Sequence, residues 1–107
     1  MTGQYRQGDV LLCACAEIPV AATPVLSDGD RVIVAFGELT GHAHAFAAHH
    51  ARLFRDEPSG RSFVAIAVGG ASLLHEEHDP IHVPEGRYEL RRQREYTPQR
   101  RPHYVAD

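Results

Sequence analysis

The chain has no lysine, no tryptophan, two cysteines and one methionine among its 107 residues. All basic residues are therefore arginine, and the net charge is -3. A weak negative charge gives no general attraction to nucleic acid or to an anionic membrane, so neither is an expected partner. We find no secretory signal and no apolar run that approaches a membrane span. A cytoplasmic protein is the expectation.

The two cysteines, Cys13 and Cys15, lie two positions apart. A disulfide between same-face positions of one strand would need strained geometry, because their side chains diverge from the usual bridging distances. We expect both thiols to be reduced and to act as small buried apolar side chains rather than as metal ligands.

Short apolar segments separated by turn signals run through the whole chain, and none has a sustained helical period. They predict an all-β fold, a small barrel or sandwich of short, mostly antiparallel strands. One domain is expected over residues 1–107, with a polar lead-in to residue 8, a core at about 8–96 and a tail at 97–107. The main predicted strands are 10–18, 31–36, 38–46, 52–56, 62–68, 81–83 and 87–96.

Eight histidines are the one anomaly of the composition. His42 and His44 occupy alternate positions of an extended segment, so both imidazoles point to the same face. His75 and His78 are three apart, and a turn between them could bring their rings together. Neutral imidazoles that converge bind zinc, copper, nickel or ferrous iron. These four residues are therefore the predicted ligands of one divalent metal, with zinc the first choice.

Two variations of this prediction stay open. Three of the histidines and a carboxylate could form the site, since Glu76 and Glu77 offer a further ligand or an acceptor that fixes a histidine tautomer. The remaining histidines are expected on the surface, with His82 as the reserve ligand; they are His49, His50, His82 and His103.

Several hydrolytic chemistries are excluded by spacing. A zinc-protease helix needs histidines four apart, whereas His75 and His78 are three apart and Asp79-Pro80 follows them. The sequence has neither a Gly-x-Ser-x-Gly elbow nor a glycine loop that cradles phosphate.

The four segments 8–12, 37–44, 75–81 and 93–96 resemble a family of short bacterial proteins of uncharacterised function. That family pairs Gly-Glu-x-Thr-Gly-His-x-His with His-x-Glu-His-x-Pro-Ile and closes on Gln-Arg-Glu-Tyr. The resemblance implies that these segments act as a set, and it implies no activity. A more distant similarity, to cupins, matches His42 and His44 to the first metal-binding pair and His75 or His78 to the later ligand. No glutamate follows His44 at the cupin distance, so the similarity concerns architecture.

Three functions are compatible with these observations. The first is a non-catalytic metal-binding β-module that acts through a protein partner or a homo-oligomer, and a closed site with four protein ligands would favour it. The second is a cupin-like metal enzyme, which an apolar pocket over an open coordination position would favour. The third is a metal-free interaction protein whose arginine-rich end meets an acidic protein or nucleic acid. Its arginines are Arg87, Arg91, Arg92, Arg94, Arg100 and Arg101.

Overall fold

The protein's computed structural model describes residues 3–36, 42–92, 94–95 and 103–104. Every regular element in these residues is a β-strand, and no helix in them could cross a membrane. The strands are β1 Gln4–Gln7, β2 Val10–Ala14, β3 Thr23–Val25, β4 Arg31–Phe36, β5 Ala43–Ala47, β6 Ala51–Asp56, β7 Arg61–Ile66, β8 Ala71–Leu73, β9 Ile81–Val83, β10 Gly86–Arg92, β11 Arg94–Glu95 and β12 His103–Tyr104.

Six strands form one antiparallel sheet in the order β1-β2-β10-β7-β6-β3. The β1–β2 hairpin turns through Gly8 and Asp9, and Gly8 takes the left-handed conformation with φ 61° that such a tight turn requires. The β6–β7 hairpin, whose loop ends at Gly60, joins two of the segments that the sequence predicts as strands, 52–56 and 62–68.

Two short hairpins lie beside this sheet and carry the histidine pairs. In one, β4 pairs with β5 with a register shift between Ile33 and Ala35; in the other, β8 pairs with β9. A single bridge joins the hairpins, since Ala45 and Leu74 exchange two backbone hydrogen bonds of 3.0 and 2.9 Å. That bridge brings the segment after β8 alongside β5.

The core lies between the large sheet and the two hairpins. Leu12 and Val64 from the large sheet and Phe46, Leu73 and Val83 from the hairpins are each at most 1% exposed. Two faces that bury apolar side chains against each other make a sandwich-like arrangement, and β1 and β3 remain open edges of the large sheet among the described strands. The predicted all-β class is confirmed, in its sandwich form.

Several strand predictions differ from the structure, since β3 was not predicted and the predicted strand 62–68 ends at Ile66. The segment 10–18 leaves the sheet after Ala14, where the β2–β10 register ends at the pair Ala14–Tyr88. Apolar composition gave no sign of this end, since apolar residues continue to Ile18; one more backbone hydrogen bond, from the Cys15 amide to the Arg87 carbonyl at 2.9 Å, follows the last paired residue. Strand β1 occupies part of the predicted polar lead-in. It was missed because polar residues such as Gln4 and Arg6 leave no alternation of apolar and polar side chains in the sequence, although Tyr5 packs on the core.

Arginines on β7 and β10 bind carboxylates of the same chain. Arg61 donates two hydrogen bonds of 2.8 and 2.9 Å to the Glu89 carboxylate, and Arg91 adds one of 3.1 Å. These bonds, led by the one from Arg61, lower the pKa of Glu89 to about 2. Arg92 binds Asp9 at 2.9 and 2.6 Å. The side chains of Arg94, Arg100 and Arg101 lie outside the described residues.

Replacing Glu89 with glutamine is expected to remove part of the acid sensitivity of the fold. The folded pKa of about 2 lies below the ordinary 4.5, so the stabilisation is present above pH 4.5 and is lost as pH falls toward 2. In thermal melts, Glu89→Gln should melt below wild type near neutral pH, and the difference should shrink between pH 4.5 and 2. The control is Glu85→Gln, at an exposed glutamate before β10. A difference in melting temperature that stays constant with pH would contradict the prediction.

Candidate metal centre

The first histidine pair is held by β5 and the residue before it. Side chains alternate along the strand, so His44 and Phe46 point into the core, with 0% and 1% exposure, while His42 follows on the same side at the strand entrance. His42 keeps 36% of its side chain exposed. The pair therefore runs from the core to the surface.

The second pair lies in the loop between β8 and β9. A bend over residues 76–78 replaces the strand, and this bend brings the rings of His75 and His78 to 4.7 Å between centroids. The Ala45–Leu74 bridge fixes the start of the loop against β5. Both pairs consequently meet at one place.

His75 is the centre of the resulting cluster. Its ring centroid lies 4.2 Å from that of His44 and 5.7 Å from that of His42. His44 and His78 are 6.1 Å apart, with nearly parallel rings. Two imidazoles on one zinc ion have centroids about 5 Å apart, given zinc–nitrogen bonds of about 2.0 Å. The ring-centroid distances between these histidines run from 4.2 to 6.1 Å, on either side of the value for a shared zinc ion.

The tightest group of potential ligands contains two histidines and a glutamate. One ligand atom each from His42, His75 and Glu76 lies within 4.8 Å of the other two. The Glu76 carboxylate accepts a 3.1 Å hydrogen bond from the Ala43 amide at the start of β5. Its pKa is lowered, first by a hydrogen bond from its own backbone amide and then by that of Ala43. A negatively charged oxygen is therefore held beside two imidazoles.

Buried Gln7 ties the two histidine segments together. Its Nε2 donates to the carbonyls of Leu73 at 2.8 Å and Asp79 at 2.9 Å, which flank the loop that carries His75 and His78. Both amide hydrogens are used in these bonds, so Oε1 must accept from Nδ1 of His44, 2.9 Å away. A neutral His44 then carries its proton on Nδ1 and its acceptor lone pair on Nε2.

Burial keeps His44 in the neutral form that can bind a metal. Desolvation first, and then the neighbouring charge of His75, lower the pKa of His44 to about 4, against the opposing effect of Asp9. Nε2 of His44 lies 3.9 Å from Oδ1 of Asp9, and both side chains are fully buried. The Asp9 carboxylate in turn binds Arg92 through its other oxygen.

The loop histidines have a different hydrogen-bond state. The Glu77 amide donates to Nδ1 of His75 at 3.0 Å, so a neutral His75 carries its proton on Nε2. Within the part of the chain that the structure describes, the buried Nε2 atoms of His75 and His78 have no hydrogen-bond partner. A glutamate also lies beside the outer histidine, with Oε1 of Glu77 3.6 Å from Nδ1 of His42.

Sequence reasoning missed Gln7 and Asp9. Asp9 lies in the β1–β2 turn, where an aspartate is normally exposed, and nothing in the sequence marked this one as buried at 1%. The only available signal was the position of both residues next to a predicted core strand.

The histidines outside the cluster lie on the surface where the structure describes them. His49 and His50 are exposed neighbours with ring centroids 4.1 Å apart, and His82 is exposed opposite Gly70. The side chain of His103 lies outside the described residues.

Comparison with known proteins identifies a family. Residues 6–93 match the family model of a domain of unknown function, DUF8820. No curated protein and no solved structure matches the chain. The match covers both histidine segments and most of the described fold.

Replacing Gln7 with glutamate tests the buried link. The substitution keeps the shape but removes both donors, and it sets a carboxylate oxygen against the carbonyls of Leu73 and Asp79. We expect a loss of about 3 kcal/mol in the free energy of unfolding, measured by urea denaturation. Gln4→Glu, at an exposed position of the same strand, is the matched control and should cost little. Equal losses in the two variants would show that Gln7 has no special role.

Proposed function

The chain belongs to the DUF8820 family, and we propose that its histidine cluster binds one divalent transition-metal ion. His42, His75 and Glu76 are the primary ligands in this proposal. His44 and His78, on the buried side of these three, are alternative ligands rather than a fourth one. Zinc is the expected metal, with iron, nickel and copper as alternatives.

One observation carries the proposal: ligand atoms from two distant segments lie within 4.8 Å of one another. In a tetrahedral zinc site, neighbouring ligand atoms are about 3.3 Å apart, given bonds of about 2.0 to 2.2 Å. Each side chain would need to move by roughly an ångström or less to bind a common ion, which small rotations of half-exposed side chains provide. The backbone at both segments is already fixed by the Ala45–Leu74 bridge.

The chemistry of the surrounding groups also supports a metal. His44 is neutral at ordinary pH because its pKa is about 4, so it is ready to ligate without losing a proton. Gln7 and Glu77 are the neighbours that would orient the ligands, as hydrogen-bonding groups around metal-bound histidines do. Among the described residues, no side chain hydrogen-bonds to His49 or His50, which are exposed in a turn.

The exposure of the cluster to solvent favours the metal-dependent enzyme, the second of the functions that the sequence left open. His42 is 36% exposed and Glu76 is exposed, while a cavity of about 460 Å³ is lined in part by His75 and Glu76. An ion held there by three protein ligands would keep a position for an external ligand, which structural zinc sites do not. A metal-dependent action on a small molecule is therefore the second candidate. A protein partner or a homo-oligomer remains a prediction.

Metal titration provides the direct test. Metal-free protein titrated with zinc should bind one ion per chain, with the stoichiometry checked by elemental analysis of the dialysed complex. His75→Ala should weaken binding by more than about 100-fold, because loss of even an orienting neighbour typically costs 10- to 100-fold. His42→Ala and Glu76→Gln should each weaken it as well.

The control removes two histidines that are outside the cluster. His49→Ala combined with His50→Ala lowers the histidine count without touching the proposed ligands, so zinc affinity should stay at the wild-type value. Loss of binding in this double variant, or unchanged binding in His75→Ala, would place the metal elsewhere or show only adventitious binding.

The Glu77 amide should report metal binding directly. If Nδ1 of His75 ligates, it can no longer accept from the Glu77 amide; if Nε2 ligates, the proton moves to Nδ1, which again cannot accept. Both modes therefore break the 3.0 Å hydrogen bond. In NMR spectra, zinc should produce a large shift of the Glu77 amide resonance and faster hydrogen exchange there. A Glu77 amide unchanged in the zinc-saturated protein would exclude His75 as a ligand.

A further inference from the structure

A cavity runs along β5 beside the histidine cluster. Its volume is about 460 Å³, within the range of about 300 to 1,000 Å³ that is typical of small-molecule sites. Ala43, Ala45 and Ala47, at alternate positions of β5, contribute small side chains to the wall, and Leu74 contributes a large one. Leu74 is 50% exposed and offers an apolar surface to a molecule in the cavity.

Strand register gives the cavity two distinct ends. Glu76 accepts from the Ala43 amide, so the metal ligands lie at the Ala43 end. Arg31 pairs with Ala47 across the β4–β5 hairpin and marks the opposite end. Four residues of extended strand separate these ends by about 13 Å. Leu74, bridged to Ala45, stands between them.

The charges differ between the ends. A zinc ion with two neutral histidines and the Glu76 carboxylate would carry a net charge of +1 in its ligand shell. One anionic ligand would neutralise it beside an apolar wall, where an unbalanced charge is costly. At the other end, Arg31 lies 4.0 Å from Asp28, and Asp30 also lines the cavity, so the positive charge is already balanced. The middle of the cavity offers mainly apolar contacts.

From this arrangement we infer that the cavity binds an aliphatic carboxylate, with the carboxylate on the metal and the hydrocarbon chain along Ala45, Ala47 and Leu74. This inference rests on the proposed metal site and names the class of small molecule that the site accepts. In this arrangement the metal binds the carboxylate group, and the alanine side chains of β5 limit the length of the hydrocarbon chain that fits in the cavity.

Calorimetry with a series of fatty acids tests the inference on the zinc-loaded full chain. Acetate, butyrate, hexanoate and octanoate should bind with increasing affinity, by about fourfold for each methylene that enters the cavity. Octylammonium should bind at least about tenfold more weakly than octanoate, because its head repels the metal. Metal-free protein should also bind octanoate at least about tenfold more weakly.

Ala47→Leu narrows the end of the cavity that lies farthest from the metal. The gain in affinity should then stop at a shorter chain, while acetate affinity and zinc affinity stay at wild-type values. Ala67→Leu makes the same change at an exposed residue outside the cavity and should leave the whole series unchanged. A dependence on chain length that is identical in Ala47→Leu and wild type would overturn the inference.

The outcomes separate this inference from the proposed function. A protein that binds no zinc overturns both. Zinc binding without any dependence on chain length overturns the inference alone. Octanoate binding that is equally tight without zinc, and that is lost in Arg31→Gln, would put the carboxylate on Arg31 at the other end of the cavity and would also overturn it.

Discussion

The buried amide of Gln7 is the interaction on which the site depends. One side chain hydrogen-bonds to carbonyls on both sides of the loop that carries His75 and His78, and it also orients His44 from the opposite segment. Since a buried amide makes these three bonds only when all partners are in place, the positions of the two histidine pairs are coupled. The resulting tautomer of His44 follows from the donors and acceptors of this group alone.

Side chains alternate between the two faces of β5, and the two faces differ in what they contact. His44 and Phe46 point inward, where one contributes a ring to the cluster and the other fills the core. Ala43, Ala45 and Ala47 face the other way and leave space beside the cluster. A shift of register by one residue would exchange these faces. The bridge to Leu74 holds this register, so the histidines stay on one face of β5 and the alanines of the cavity wall on the other.

The sequence predicted the strand class and the meeting of the two histidine pairs, because period-2 patterning and turn residues are local signals. His42 and His44 were placed on one face by spacing alone, and a bend at Glu76 and Glu77 was anticipated. Gln7 and Asp9 could not be found in this way, since their role comes from burial and from partners far along the chain. The end of β2 at Ala14 could not be found from local patterns either, because apolar residues continue past it to Ile18.

The partners of Gln7 are 66 and 72 residues away along the chain. Contacts of such separation close long loops, and the entropy of that closure has to be overcome before they can form. A peptide that carries only one of the histidine segments lacks part of this arrangement. A chain that is still being synthesised also lacks it until the residues up to β9 have left the ribosome. The cluster therefore exists only when segments from both halves of the chain are folded together.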